Sequence, residues 1–437
     1  MDSTDVASFL SELNQLVEPK VLPKNVIVEP DQPTVKLLLV STHVNQVNGY
    51  SKVAYNMLKE LSTKPWLKLV HYATHNLTNA DLGRKIPTVK VIDASALEKE
   101  KKTGFAQTEL PAVLQQEKPD VILIYNDLAI ICSYIEQIKK MDRPFKIWAY
   151  VDTTYAMQPQ SMIDMLNRDV ERIFCFTKSW KNSLKSQGIN RPIDVMRHGV
   201  DTQIFKPIPK DVARQMLGLP KDVFLFTSLN KNIPRKRLDI LIMSFVKLIA
   251  RHPLKPIFLL IVANKEGSAG GYNLFEIFAR ELKLCGEPVN IFGDRLLITS
   301  NDTCYKDEDI NALNNCGDAG ISCAEGEGFG LCTFEQMAAG VPQVVPEING
   351  YTEYCNTNNS LLVKPKMRYY IPYGYNSLSG EAQVVDPTDV SNAMEQYVFD
   401  DNLRKLHSTK AVEVTSYTWQ TCLTPLVNRL SQSLEQD

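Results

Sequence analysis

The chain has 437 residues, 44% hydrophobic and 22% charged, which excludes a disordered or low-complexity protein and suits two globular domains of about 200 residues each. A formal net charge of −2 lacks the basic excess of a nucleic-acid binder, and the apolar runs fall far short of the ~20 residues of a membrane span. Nine cysteines with neither CxxC pairs nor zinc-ligand spacing read as reduced thiols, and the acidic opening MDSTDVASFLSELNQ has no signal-peptide core, so a cytoplasmic protein is expected.

Residues 1–33 read as an N-terminal extension. Phe9, Leu10, Leu13 and Leu16 have helical spacing, and Pro19, Pro23, Pro30 and Pro33 end any regularity. This helix is expected to cap the first domain rather than to dimerise or meet a membrane surface. VKLLLVS (35–41) is a near-continuous apolar run, as in strands buried on both faces of a parallel sheet. NGYSKVAYNMLKELS follows, with Val53, Ala54, Met57, Leu58 and Leu61 on one helical face. LVHYA (69–73), VKVID (89–93), DVILIYND (120–127), KIWAYVD (146–152) and RIFCFT (172–177) are predicted strands with helical stretches between them, and IDVMRHGVD (193–201) closes this half.

A second series starts after FKPIPKD (205–211). VFLFTSLN (223–230) is a predicted strand and LDILIMSFVKLIA (238–250) an amphipathic helix; IFLLIVA (257–263), VNIFG (289–293) and AGISC (319–323) are further predicted strands. A glycine-rich acidic loop, a helix and VPQVVP (341–346) come next. KPKMRYYIPYGYNSLSGEA (365–383), with four tyrosines, looks like an insertion: a packed aromatic flap, or an acceptor or partner surface. YTWQTCLTPLVNRLSQSL is helical in pattern, with Pro425 kinking it or sitting in its first turn. Alternating strands and helices imply two doubly wound α/β domains facing a cleft, at 34–204 and 205–414, with a C-terminal helix at 415–437.

In doubly wound sheets ligands bind at the carboxyl ends of the strands. The loop after AGISC, EGEGFG, lies there. Gly326, Gly328 and Gly330 allow close backbone approach, and the helix starting near Leu331 offers free N–H groups and a positive dipole end to an anion such as a diphosphate. Glu335, on that helix, can accept hydrogen bonds from two vicinal hydroxyls, as on a ribose; Glu327 can do the same for a sugar. A glutamate-rich helix start is the plainer alternative. NKNIPRKRLD (230–239) concentrates Lys231, Arg235, Lys236 and Arg237 at another strand end, where they can neutralise phosphates without a metal, against the alternative of a solvated basic turn. Cys332, at the helix head, is a candidate for a lowered thiol pKa, although its backbone N–H is the more useful group. The six histidines are scattered and suggest no metal site.

Together these segments resemble the retaining family 4 glycosyltransferases of the GT-B class (glycosyl transferases group 1). Glu327 to Glu335 match the family's E-x7-E motif, and Asn230 to Lys236 look like its basic diphosphate motif, with Lys231 in place of an arginine. HGVDTQIFKP (198–207) resembles the interdomain segment, NGYTEYC (349–355) the turn near base and sugar, and NGYSKVAYNMLKEL (48–61) the N-terminal Gly-Gly loop, with Asn48 for the first glycine. YTWQT is similar to the start of the helix that crosses back to the first domain. The family usually has a histidine after the central strand of the first domain; Asp152 stands there.

The resemblance implies a metal-independent, retaining hexosyltransferase with no cofactor. Its donor would be a nucleoside-diphosphate sugar, GDP-mannose or UDP-glucose in type, and its acceptor a hydroxyl of a glycan, glycolipid or protein; peripheral membrane contact stays open. Glu327, Lys236, Lys231 and Asp152 would be catalytic, and Gly49, Arg235, Phe329, Gly330, Leu331, Cys332 and Glu335 would bind donor. A non-catalytic sugar-nucleotide-binding scaffold and a nucleotide-sugar 2-epimerase are the alternatives.

Overall fold

The structure, a computed structural model, describes residues 34–434 apart from 77–81, 99–102, 143, 264–269, 300–304 and 376–377. The helix expected within 1–17 lies outside the described residues, as does Cys304.

The first sheet has seven parallel strands: β1 (Val35–Thr42), β2 (Leu67–Thr74), β3 (Val89–Asp93), β4 (Val121–Asp127), β5 (Lys146–Asp152), β6 (Arg172–Cys175) and β7 (Ile193–Val195). Their order is β3-β2-β1-β4-β5-β6-β7. The second sheet has β8 (Phe224–Leu229), β9 (Ile257–Val262), β10 (Leu296–Thr299), β11 (Ala319–Ile321), β12 (Gln343–Pro346) and β13 (Ser360–Val363), in the order β10-β9-β8-β11-β12-β13. Each sheet grows outward in both directions from its first strand, the doubly wound arrangement whose order reverses beside that strand. The apolar runs explain it. Leu37 and Leu39 of β1 point into one core, Leu38 and Val40 into another, and all four are fully buried. Strands covered on both faces need helices above and below, and βαβ crossovers supply them.

Helix α1 (Gly49–Leu61) follows β1 and buries Val53, Ala54, Met57, Leu58 and Leu61. Helix α2 (Leu238–Arg251) follows β8, and α3 (Leu331–Ala338) follows the acidic loop after β11. The last helix, α4 (Thr424–Ser431), starts with Pro425 in its first turn and buries Leu426 and Leu430 in the same core as Val35, Leu37 and Leu39 of β1. The C-terminal segment therefore packs on the first sheet after the chain has completed the second. At the crossing Val200 N–H donates to Tyr417 O at 2.8 Å. A Cβ on Gly199 would lie 2.4 Å from the Trp419 nitrogen, so only glycine permits the approach.

One expectation needs correction. VNIFG is not a strand: Val289–Phe292 is a helical turn after Pro288, and the edge strand is Leu296–Thr299, which pairs with Leu259–Val262. A stretch as short as V-N-I-F, with three apolar residues, has no resolvable period; only Phe292 of the turn is buried, and the sheet selects the later run. Residues 365–383 form an antiparallel hairpin, β14 (Met367–Tyr375) and β15 (Leu378–Val384). It is tied to the first domain: Glu381 N–H donates to Ala156 O at 2.8 Å and Gln158 Nε2 to Ser379 O at 3.0 Å. Among the described residues, no helix is long and apolar enough to cross a membrane.

Candidate active site

The points where the two sheet orders reverse bring five strand ends together. From the first sheet come the loop after β1, which starts α1, and Asp127 and Asp152 at the ends of β4 and β5, paired in register. From the second come the basic segment after β8 and the acidic loop after β11. They enclose a cavity of about 550 Å³, within the range of small-ligand sites. Every residue identified from the sequence as catalytic or donor-binding lines it.

The basic segment forms a tight turn. Pro234–Lys236 is a single 3-10 turn, and Arg237 has φ 48 before α2 begins. The turn directs Lys231, Arg235 and Lys236 into the cavity. Arg237 instead pairs with Asp239 at 2.9 Å and Glu325 at 3.3 Å and does not line the cavity. Lys236 Nζ pairs with Glu327 Oε1, and Arg235 Nη1 lies 3.3 Å from Glu327 Oε2. Burial opposes ionisation of Glu327, but Lys236 and Arg235 outweigh it and hold its carboxyl below the usual range. The Lys231 ammonium is lowered by burial and by Arg235 and Lys236. Arg235 and Lys236 share the Glu327 carboxylate and Lys231 stands beside them without it, so this wall of the cavity is positively charged, which suits a diphosphate.

The acidic loop is held from both domains. Trp180 Nε1 of the first domain donates to Gly328 O at 2.8 Å, and Tyr354 Oη donates to Gly330 O at 2.8 Å. Gly330 has φ +88, and a Cβ there would lie 2.5 Å from the Tyr351 ring. This left-handed residue turns the chain into α3, whose first residues, Leu331 and Cys332, line the cavity and have N–H groups with no partner inside the helix. Phe329 turns its ring into the core, with its centroid 4.8 Å from that of His198 and 5.0 Å from that of Phe334. Gly49 faces Leu331 across the cleft, 3.4 Å from an added Cβ to Leu331 Cδ1. His198, buried, has a pKa lowered to about 3, so its ring is a neutral packing element. The Cys332 thiol, a candidate for a lowered pKa, is instead raised, by desolvation and then by the Glu335 carboxylate.

The wall from the first domain holds groups that sequence reasoning missed. Lys52, on the first turn of α1, reaches 2.8 Å from Glu335 Oε1 and 3.0 Å from Asp307 Oδ1, and Arg84 lies 3.1 Å from Asp307 Oδ2. Burial raises the Glu335 pKa and Lys52 offsets this only in part. The Tyr50 hydroxyl lies 2.9 Å from Asp127 Oδ1 and 2.8 Å from Asp152 Oδ2. Burial, then the Asp127 charge, pushes Asp152 up to about 7. The available signals were local: Tyr50 and Lys52 follow Gly49 within one helical turn, and Asp127 ends the strand paired with that of Asp152. Arg84 and Asp307 gave none. Among the described residues no group of three or more His, Cys, Asp or Glu could hold a metal ion.

No protein-family model matches the chain. Among curated proteins it is similar to a D-inositol 3-phosphate glycosyltransferase of Stackebrandtia nassauensis, 24% identical over 249 residues, covering 56% of this chain and 49% of that protein. It is also similar to the lipopolysaccharide core biosynthesis mannosyltransferase LpsB of Rhizobium meliloti, 33% identical over 165 residues, covering 37% and 42%. The chain thus matches about half the length of these relatives, or less. Among solved structures, sucrose-phosphate synthase of Thermosynechococcus elongatus superposes with a TM-score of 0.70 at 14% identity, over 92% of this chain and 100% of that one. Anabaena HepE, solved in complex with UDP and glucose, gives 0.67 at 15% identity over 91% and 100%. With two parallel doubly wound sheets facing a cleft, the chain belongs to the GT-B structural class, the fold of these glycosyltransferases.

Proposed function

We propose that the protein transfers a hexose from a nucleoside-diphosphate sugar to a hydroxyl acceptor, with retention at the anomeric carbon. The observation that carries this reading is the meeting of Lys231, Arg235, Lys236, Glu327 and Glu335 with the start of α3 in one cavity. Lys231, Arg235, Lys236 and the N–H groups at Leu331 and Cys332 would take the diphosphate. Positive charge fixed there stabilises the leaving group as negative charge develops. Glu335 would receive the ribose hydroxyls once Lys52 is displaced, and Glu327, already paired with two cations, would set their positions beside the sugar. The departing phosphate would accept the proton of the acceptor hydroxyl as the new glycosidic bond forms on the same face.

The cations and helix dipole supply the charge, so donor binding is expected to survive EDTA. The base and sugar are open between GDP-mannose and UDP-glucose types; HepE binds UDP, and this chain shares its fold. A glycan, glycolipid or protein would be the acceptor, in the cytoplasm. Thermal unfolding against UDP, GDP and their sugars, with EDTA present, tests this. One diphosphate at 100 times Kd should stabilise by about 2.7 kcal/mol, and Glu335→Ala and Lys236→Ala should abolish the shift. No shift with any nucleotide would remove the donor site and leave a scaffold.

A further inference from the structure

Hydrogen counting at the ends of β4 and β5 exposes a group the donor chemistry does not use. The Tyr50 hydroxyl has one proton but sits within hydrogen-bond distance of a carboxylate oxygen on each of Asp127 and Asp152. It can donate to only one of them. Burial and the adjacent carboxylates raise the tyrosine pKa well above its ordinary value, so the hydroxyl keeps its proton. The second contact is then either a repulsion between two acceptors or a hydrogen bond donated by a protonated carboxyl. Two carboxylates brought this close do not readily ionise together.

We propose that Asp127, Tyr50 and Asp152 form one proton-sharing unit in the floor of the cleft, and that Asp152 uses it to bind a hydroxyl of the sugar. The inference rests on the transferase reading for the identity of its ligand, and the geometry alone carries the shared proton. Asp152 lines the cavity and its Oδ1 is buried with no hydrogen-bond partner among the described residues. Asp127 does not line the cavity; it and Tyr50 act on the ligand through Asp152 and are positioning residues. A half-protonated pair offers both a proton and a negative charge. A sugar hydroxyl, itself donor and acceptor, matches either state.

The groups facing the unit from the neighbouring elements pull Asp152 in both directions, and burial with the like charges prevails. Tyr50 and Arg235 favour the ionised form of Asp152, while burial, Asp127 and Glu327 oppose it. Tyr125 on β4, also facing the pair, is itself held protonated by burial and by both aspartates. Tyr150 on β5 donates its hydroxyl to Met196 O and is spent.

Infrared difference spectroscopy of the ligand-free full chain across pH tests the shared proton. Wild type should show a protonated carboxyl persisting towards neutral pH, absent in Asp152→Asn. Asp127→Asn removes the like charge, so the band should titrate at least about one pH unit lower. Tyr50→Phe removes a donor to the ionised form and should move it upward. A Tyr50→Phe midpoint that stays in place would mean that the hydroxyl only fills space, and a wild type without such a band would mean a fully ionised pair; either result overturns the shared proton. Thermal midpoints establish that each variant folds. UDP-glucose or GDP-mannose, but not UDP or GDP, should then shift the band; a band that ignores the sugar while the nucleotide binds overturns the hydroxyl contact. Failure of every nucleotide to bind, with the titrations as expected, removes the transferase reading and keeps the proton pair.

Discussion

At the scale of single residues, charge and backbone conformation set the site. Asp152 and Glu327 lie on opposite sides of the cleft and respond to pH in opposite senses. The folded-state pKa of Asp152 is raised, so between its unfolded value of roughly 4 and about 7 the native state holds a proton that the unfolded chain has lost. Stability therefore falls as pH rises through that window. The Glu327 pKa is depressed, and its contribution is present above its unfolded value and lost as pH falls through the folded one. Asp152→Asn should flatten the decline between roughly pH 4 and 7 and leave the acid limb; denaturant midpoints measured across pH would show it. An unchanged slope would mean that Asp152 ionises normally. Gly330→Ala meets both a φ of +88 and the Tyr351 ring, and should destabilise by about 1–3 kcal/mol in the same assay.

At the scale of elements, the two loops that carry the chemistry are held by neighbours. The acidic loop is fixed by Trp180 from one domain and Tyr354 from the other, so α3 presents its N-terminus in one orientation. The C-terminal helix α4 belongs to the first-domain core although the second domain precedes it in the chain. Leu426 is fully buried there, and Leu426→Ala should cost about 2–5 kcal/mol of stability, read from chemical denaturation. A cost below about 1 kcal/mol would show that the helix is only loosely docked. The hairpin 367–384 is a second strap: Tyr369 donates to Glu325 at 2.8 Å while Glu381 bonds to the first-domain segment at Ala156. The segment read from the sequence as a flap, or as an acceptor or partner surface, thus also connects the two domains.

At the scale of the whole molecule, the cleft is closed by charge as well as by packing. Lys52 and Arg84 from the first domain meet Glu335 and Asp307 from the second. A ribose seated on Glu335 must displace Lys52, so cleft closure and donor binding compete for one carboxylate. Lys52→Met should tighten nucleotide binding several-fold and reduce its salt dependence, measured by calorimetry at low and high ionic strength. Weaker binding would instead make Lys52 part of the donor site.

Sequence alone determined the local pieces. Apolar runs of strand length alternating with amphipathic helices required parallel sheets, because strands buried on both faces have no other cover. Glycine spacing and the glutamates at 327 and 335 marked the acidic loop, and NKNIPRK marked the basic one, because charge clustered at a strand end is visible in one dimension. VNIFG misled because three apolar residues in so short a stretch have no resolvable period. What only the tertiary structure decided are the pairings between distant segments: Lys52 with Glu335, Arg84 with Asp307, Asp127 with Asp152 through Tyr50, and α4 with β1. Their partners lie 25 or more positions apart in the chain, on elements with no shared periodicity, and the doubly wound topology brings them together only when both sheets have formed.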